Sequence, residues 1–72
     1  MKRINEMVVK VYRTDNETAE VKLVRIYPCH HVFNTIDNSS LHCLFIDYDG
    51  AEIDMEVEYS PWMNEHIMIT TA

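Results

Sequence analysis

From residue 51 to residue 59 the chain alternates without a break. Ala51, Ile53, Met55, Val57 and Tyr59 fall on one side, and Glu52, Asp54, Glu56 and Glu58 on the other. A period of two assigns these sets to opposite faces of a β-strand. The apolar run Leu41-His42-Cys43-Leu44-Phe45-Ile46 precedes it. Between them, Asp49-Gly50 suits the two central positions of a type I′ turn, where positive φ is required. Residues 41–59 are therefore predicted to form a β-hairpin with a two-residue turn. That register sets Asp47 opposite Glu52, Ile46 opposite Ile53, Phe45 opposite Asp54, Leu44 opposite Met55 and Cys43 opposite Glu56. One face is then Leu44, Ile46, Ile53, Met55 and Val57. The other gathers Asp47, Glu52, Asp54, Glu56 and Glu58 around Cys43 and Phe45.

The rest of the chain reads as short strands too. Residues 4–13 alternate, with Met7, Val9 and Val11 on an apolar side and Val8, Lys10 and Tyr12 on a mixed one. A polar interruption at 14–18 suits a hairpin loop, and residues 19–27 form a second strand. Its alternation blurs at Val24-Arg25-Ile26-Tyr27, which predicts either burial on both faces or a bulge. Pro28 ends regular pairing or marks an edge. Residues 29–36 make a third strand, with a single helical turn around Pro28–Phe33 as the alternative. Residues 37–40 are a turn. Ser60-Pro61 breaks the hairpin, Trp62-Met63-Asn64 follows, and a last strand runs over 66–70. No stretch keeps a 3.6-residue apolar period over three turns. The expectation is all-β: a small antiparallel meander of five or six short strands, curled into a small barrel or strongly bent sheet. Closure would remove the exposed edges of so small a sheet.

Composition adds a bound and an asymmetry. Seventy-two residues with 47% apolar content make one small domain, residues 1–72. A chain of this size buries only about 60% of the surface its unfolded form exposes. A homodimer, or a fold completed on a partner, is thus an open alternative, with exposed sheet edges as the means of assembly. The net charge is −6. Residues 1–36 carry all six Lys and Arg against four acids, whereas residues 37–72 carry eight acids and no Lys or Arg. The acidic half would be repelled by free nucleic acid and by anionic membrane surfaces. The N-terminus has no apolar core of signal-peptide length, and no stretch reaches transmembrane length. The expectation is a cytoplasmic protein, with Cys29 and Cys43 reduced and the two N-glycosylation matches accidental.

Chemistry is sparse. An outward strand face must be polar, but one sign of charge alone is destabilising across and along a strand. A surface serving solubility alone would mix signs. The acidic row therefore points to a larger protein with a basic surface as partner. Carboxylates about 7 Å apart along a strand are spaced much as successive phosphates are. The nucleic-acid-binding groove of an enzyme, occupied by a nucleic-acid mimic acting as inhibitor, is the corresponding target. The size and charge would suit a virus- or mobile-element-encoded inhibitor. Asp47, Asp49, Glu52, Asp54, Glu56 and Glu58 are the expected contacts, with Phe45 among them and Trp62 beyond as apolar anchors. Trp62 has a second reading, as a plug over the open end of a barrel.

Cys29, His30, His31, His42 and Cys43 suggest zinc by residue type, but no Cys-x-x-Cys or His-x-x-x-His pair is present. Only Cys29, His31 and Cys43 could converge, so no metal or cofactor is assigned. A carboxylate pair for glycoside hydrolysis needs a cleft and a shielded acid, and a thiol nucleophile needs a base beside it. No enzyme is expected. Tyr12, Arg13, Arg25 and Tyr27 could form a platform for single-stranded nucleic acid, an alternative set against the acidic half.

Overall fold

A computed structural model of the chain describes residues 4–37 and 39–71. Lys2, Arg3 and position 38, the last within the expected turn at 37–40, lie outside the described residues. Among the described residues six strands follow one another: β1 (Met7–Thr14), β2 (Val21–Cys29), β3 (His31–Asn34), β4 (Leu41–Ile46), β5 (Glu52–Glu56) and β6 (Glu65–Thr71). A single 3₁₀ turn, Pro61–Met63, lies between β5 and β6. All strand pairs are antiparallel. Among the described residues no helix is long and apolar enough to cross a membrane.

The strands do not curl into one barrel or bent sheet. They form two separate three-stranded sheets, ordered β2-β1-β6 and β3-β4-β5. The physical cause lies in how β1 and the chain around His30 are used. β1 takes β6 as its second neighbour, with Val11 opposite Ile67 and Arg13 opposite Glu65. β5 is thereby left with a free edge. At the other end of β2, His30 N–H donates to Leu44 C=O at 2.7 Å, and the chain passes into the second sheet. The extended chain from β2 into β3 thus belongs half to each sheet, and the helical turn considered at Pro28 does not form. The blurred stretch in β2 is a bulge: Arg25 faces Val11 and Leu23 faces Tyr12, leaving Val24 unmatched.

A small core joins the inner faces. Val9, Val11 and Cys29 from the first sheet meet Cys43 and Val57 from the second. Met7, Tyr27, Val32, Leu41, Met55, Tyr59 and Ile67 close around them. Outside it, Asn5 ties the N-terminal segment to the second sheet. Its amide donates to Ile46 C=O at 2.6 Å and accepts Ile46 N–H at 3.0 Å, standing in for a strand where β3 has ended. Among the described residues no buried side-chain polar atom lacks a partner.

Candidate functional site: the acidic face of the second sheet

The hairpin forms, but with a register one residue from the expected one. Asp47 N–H donates to Ala51 C=O, and Gly50 N–H donates to Asp47 C=O, each at 3.1 Å. Tyr48, Asp49 and Gly50 therefore make a three-residue loop, and Gly50 takes φ 81° at its end. This is the loop built from a type I turn plus a left-handed glycine. The Asp47 carboxylate fixes it by accepting Asp49 N–H and Ala51 N–H, both at 2.9 Å. Asp47 is spent on its own turn.

A one-residue slip moves the side chains of one strand to the opposite face relative to its partner. Phe45 now faces Ile53 and Cys43 faces Met55 on the core side, while Leu44 faces Asp54 and Ile46 faces Glu52. Phe45, expected among the acids, is thus a half-buried member of the inner face. The apolar residues that do share a face with Glu52, Asp54 and Glu56 are Leu44, Ile46 and, across β4, Phe33, all half-buried.

Glu52, Asp54 and Glu56 themselves are where the alternation put them: exposed, on one face of an edge strand. Among the described residues none of them is bonded to a Lys or Arg. Asp54 is held by His42, whose Nδ1 lies 2.7 Å from Oδ1. A carboxylate only accepts, so Nδ1 carries the proton, and in the neutral ring Nε2 accepts the Ser40 hydroxyl at 3.0 Å. The His42 ring also stacks on Phe33, with centroids 5.5 Å apart, and Phe33 stacks on His31 at 6.1 Å. One ladder, Asp54-His42-Phe33-His31, crosses the three strands. The His42–Asp54 contact is not legible in the sequence, because it depends on the slipped register. The order Ser40-His42-Asp54 is that of a hydroxyl-activating relay. Its surroundings differ: the Asp54 side chain is 55% exposed. The N–H groups of Ser39 and Ser40 both bond to Thr35 Oγ1, so neither is free for an oxyanion. The ladder braces the acidic strand.

Beyond β5, Glu58 is exposed, and its N–H donates to the Tyr27 hydroxyl at 3.2 Å. Asp49 is exposed at the loop tip. Trp62 does not plug a barrel end: it is 81% exposed on the 3₁₀ turn. With Glu56, Glu58, Tyr59, Asn34 and Arg25 it lines a cleft of about 600 Å³.

Arg25 in that cleft is already engaged, sharing one carboxylate with Arg13. Glu65 is buried between Arg13 Nη2 at 2.5 Å and Arg25 Nη1 at 3.0 Å, and also accepts Ser60 N–H at 2.8 Å. The Arg13 guanidinium first, and Ser60 N–H second, hold the Glu65 carboxyl below the usual range. This cluster, with Glu65 buried and both guanidiniums partly exposed, is not legible in the sequence, since Arg13, Arg25 and Glu65 come from strands that meet only in the β2-β1-β6 order. It also bears on the four residues of the nucleic-acid platform, which do not all share a face. Arg13 and Arg25 point inward to Glu65, Tyr27 packs on the core, and Tyr12 stacks on His66 on the opposite face.

Cys29 and Cys43 are free thiols, buried side by side where the sheets meet. Burial raises both, Cys43 to about 11. His31 does not join them: Val32 occupies the inward position beside Cys43, so His31 points to the outer face. Among the described residues no three His, Cys, Asp or Glu side chains are placed to hold a metal ion. Set against protein-family models, characterised proteins and solved structures, the chain matches none.

Proposed function

We propose that this chain is a small acidic interaction protein that lays the outer face of the β3-β4-β5 sheet on a basic surface of a larger protein. The observation that carries the reading is the row Glu52, Asp54 and Glu56, exposed on an edge strand and, among the described residues, with no Lys or Arg bonded to it. Like charges in a row destabilise a strand, and a basic partner surface would offset that cost. Leu44 and Ile46 beside the row supply apolar area, and the ladder from Asp54 to His31 ties the side chains of the three strands together, which would lower the ordering cost of binding. At its end, Glu58 and the exposed Trp62 flank the cleft, where a partner Arg or Lys could stack on the indole between carboxylates. A nucleic-acid-binding groove fits the charge and the spacing of about 7 Å along the strand, and occupying it would inhibit the enzyme that owns it.

The test is affinity capture from cell extract on immobilised wild-type protein and on the triple variant Glu52→Gln, Asp54→Asn, Glu56→Gln. The captured protein is then challenged with duplex DNA. The expected result is a basic protein held by wild type, absent from the triple variant and released by DNA. Equal capture by both would reduce the acidic row to a solvated face. Capture that depends on the row but resists DNA would keep the interaction and remove the mimicry.

A further inference from the structure

The first sheet has an outer face that the core does not use, and it is apolar. Leu23, Ile26 and Met68 on it are each about half exposed, as is Val21 at its corner. They surround Val8 and Lys10 on the central strand, since Ile26 and Met68 are the two cross-strand neighbours of Lys10. An outward sheet face is ordinarily polar. Among the described residues this one carries no Asp or Glu: its charged or titratable positions are Lys10, His66 and the Tyr12 stacked on His66.

The size of the surface says how much of it is unaccounted for. The accessible surface is 5486 Å² for a chain of 8.5 kDa. A compact monomer of that mass exposes about 4,700 Å². The excess, about 800 Å², is what one partner buries in a standard-sized stable interface. The chain is also spread out, with a radius of gyration of 13.7 Å where a compact domain of this length has about 11 Å.

We propose that the outer face of the β2-β1-β6 sheet is the seat of a second copy of this chain, the two sheets packed face to face about a two-fold axis. Charge selects that occupant and that face. Two molecules of net charge −6 repel each other wherever their carboxylates meet, and here they meet none. Edge-to-edge pairing is a poorer solution. β2 is blunted by Pro28 and by the bulge at Val24. Pairing through β6 would leave Leu23 and Ile26, two strands away, in water. Face-to-face packing covers them, and the Lys10 ammonium reaches the rim along its own apolar stem. A symmetric pair would leave both acidic faces outward and would present two copies of the proposed binding surface, although the dimer stands independently of that function.

Two measurements test this on the full chain. Sedimentation equilibrium at tens of micromolar should give twice the chain mass of 8.5 kDa, and the double variant Leu23→Glu, Ile26→Glu should halve it. Because that variant could fold poorly, a second measurement uses wild type alone. Isotope-filtered NOEs in a mixture of labelled and unlabelled chains should link the methyls of Ile26, Leu23 and Met68 across molecules. A single-chain mass throughout the concentration range would overturn the proposal. So would intermolecular NOEs confined to the β6 edge or to the face bearing Glu52.

Discussion

Cys29 and Cys43 show how burial alone decides chemistry. Each thiol lies in the core against the other, and desolvation disfavours the thiolate, raising Cys43 to about 11. The reactive species is the thiolate, so a thiol reagent at neutral pH should find neither residue in the folded protein. Labelling should follow the opening of the two sheets and accelerate with denaturant; fast stoichiometric labelling in buffer would place the thiols elsewhere. Glu65 makes the complementary case. Its folded carboxyl titrates below its ordinary value of 4.5, so its contribution to stability is complete above that pH and is lost as pH falls through the lowered value. Asp37, held at about 2 by the hydroxyls of Ser39 and Thr35, extends the same loss further into acid. Melting temperature should therefore fall steeply on acidification below about pH 4.5. Glu65→Gln should melt lower at neutral pH and show a smaller acid-induced drop, because the charge that Arg13 and Arg25 share is gone. A variant with the wild-type melting profile at all pH values would mean that the cluster is not formed.

At the scale of the element, alternation in residues 51–59 located β5 and its exposed acidic side, and the blurred stretch at Val24 located a bulge. What alternation does not contain is the pairing partner of each residue. Asp-Gly serves a two-residue turn and the end of a three-residue loop about equally well, and the Asp47 carboxylate, bonded to Asp49 N–H and Ala51 N–H, selects the longer one. That single choice moved Phe45 to the core side and brought Leu44 and Ile46 beside the acids. The choice is testable through Gly50, whose φ of 81° strains any other residue although its surroundings have room for a methyl group. Gly50→Ala should cost about 1 kcal/mol with the hairpin otherwise intact, and cross-strand Hα contacts should pair Leu44 with Asp54 and Ile46 with Glu52, the non-hydrogen-bonded pairs of this register. Contacts pairing Phe45 with Asp54 would restore the shorter turn and return Phe45 to the acidic face.

At the scale of the molecule, the topology was beyond reach of local pattern. Joining β1 to β6 brings together residues more than fifty positions apart, Arg13 and Glu65 among them. Local alternation does not encode such a pairing. With β6 taken by β1, β5 keeps a free edge, and its acids stay exposed as the proposed function requires. The central claim is that those acids act through their charge on a basic surface, with Trp62 as an anchor at one end. The direct measurement is the rate of association and of dissociation with the captured partner as salt is raised, for wild type, for the triple variant at Glu52, Asp54 and Glu56, and for Trp62→Ala. Wild-type association should slow steeply with salt, since exposed charges are screened over about 8 Å at physiological ionic strength. The triple variant should associate slowly at every salt concentration while melting no lower than wild type. Trp62→Ala should keep the salt dependence and dissociate faster. A triple variant that associates as fast as wild type, with the same salt dependence, would contradict the account.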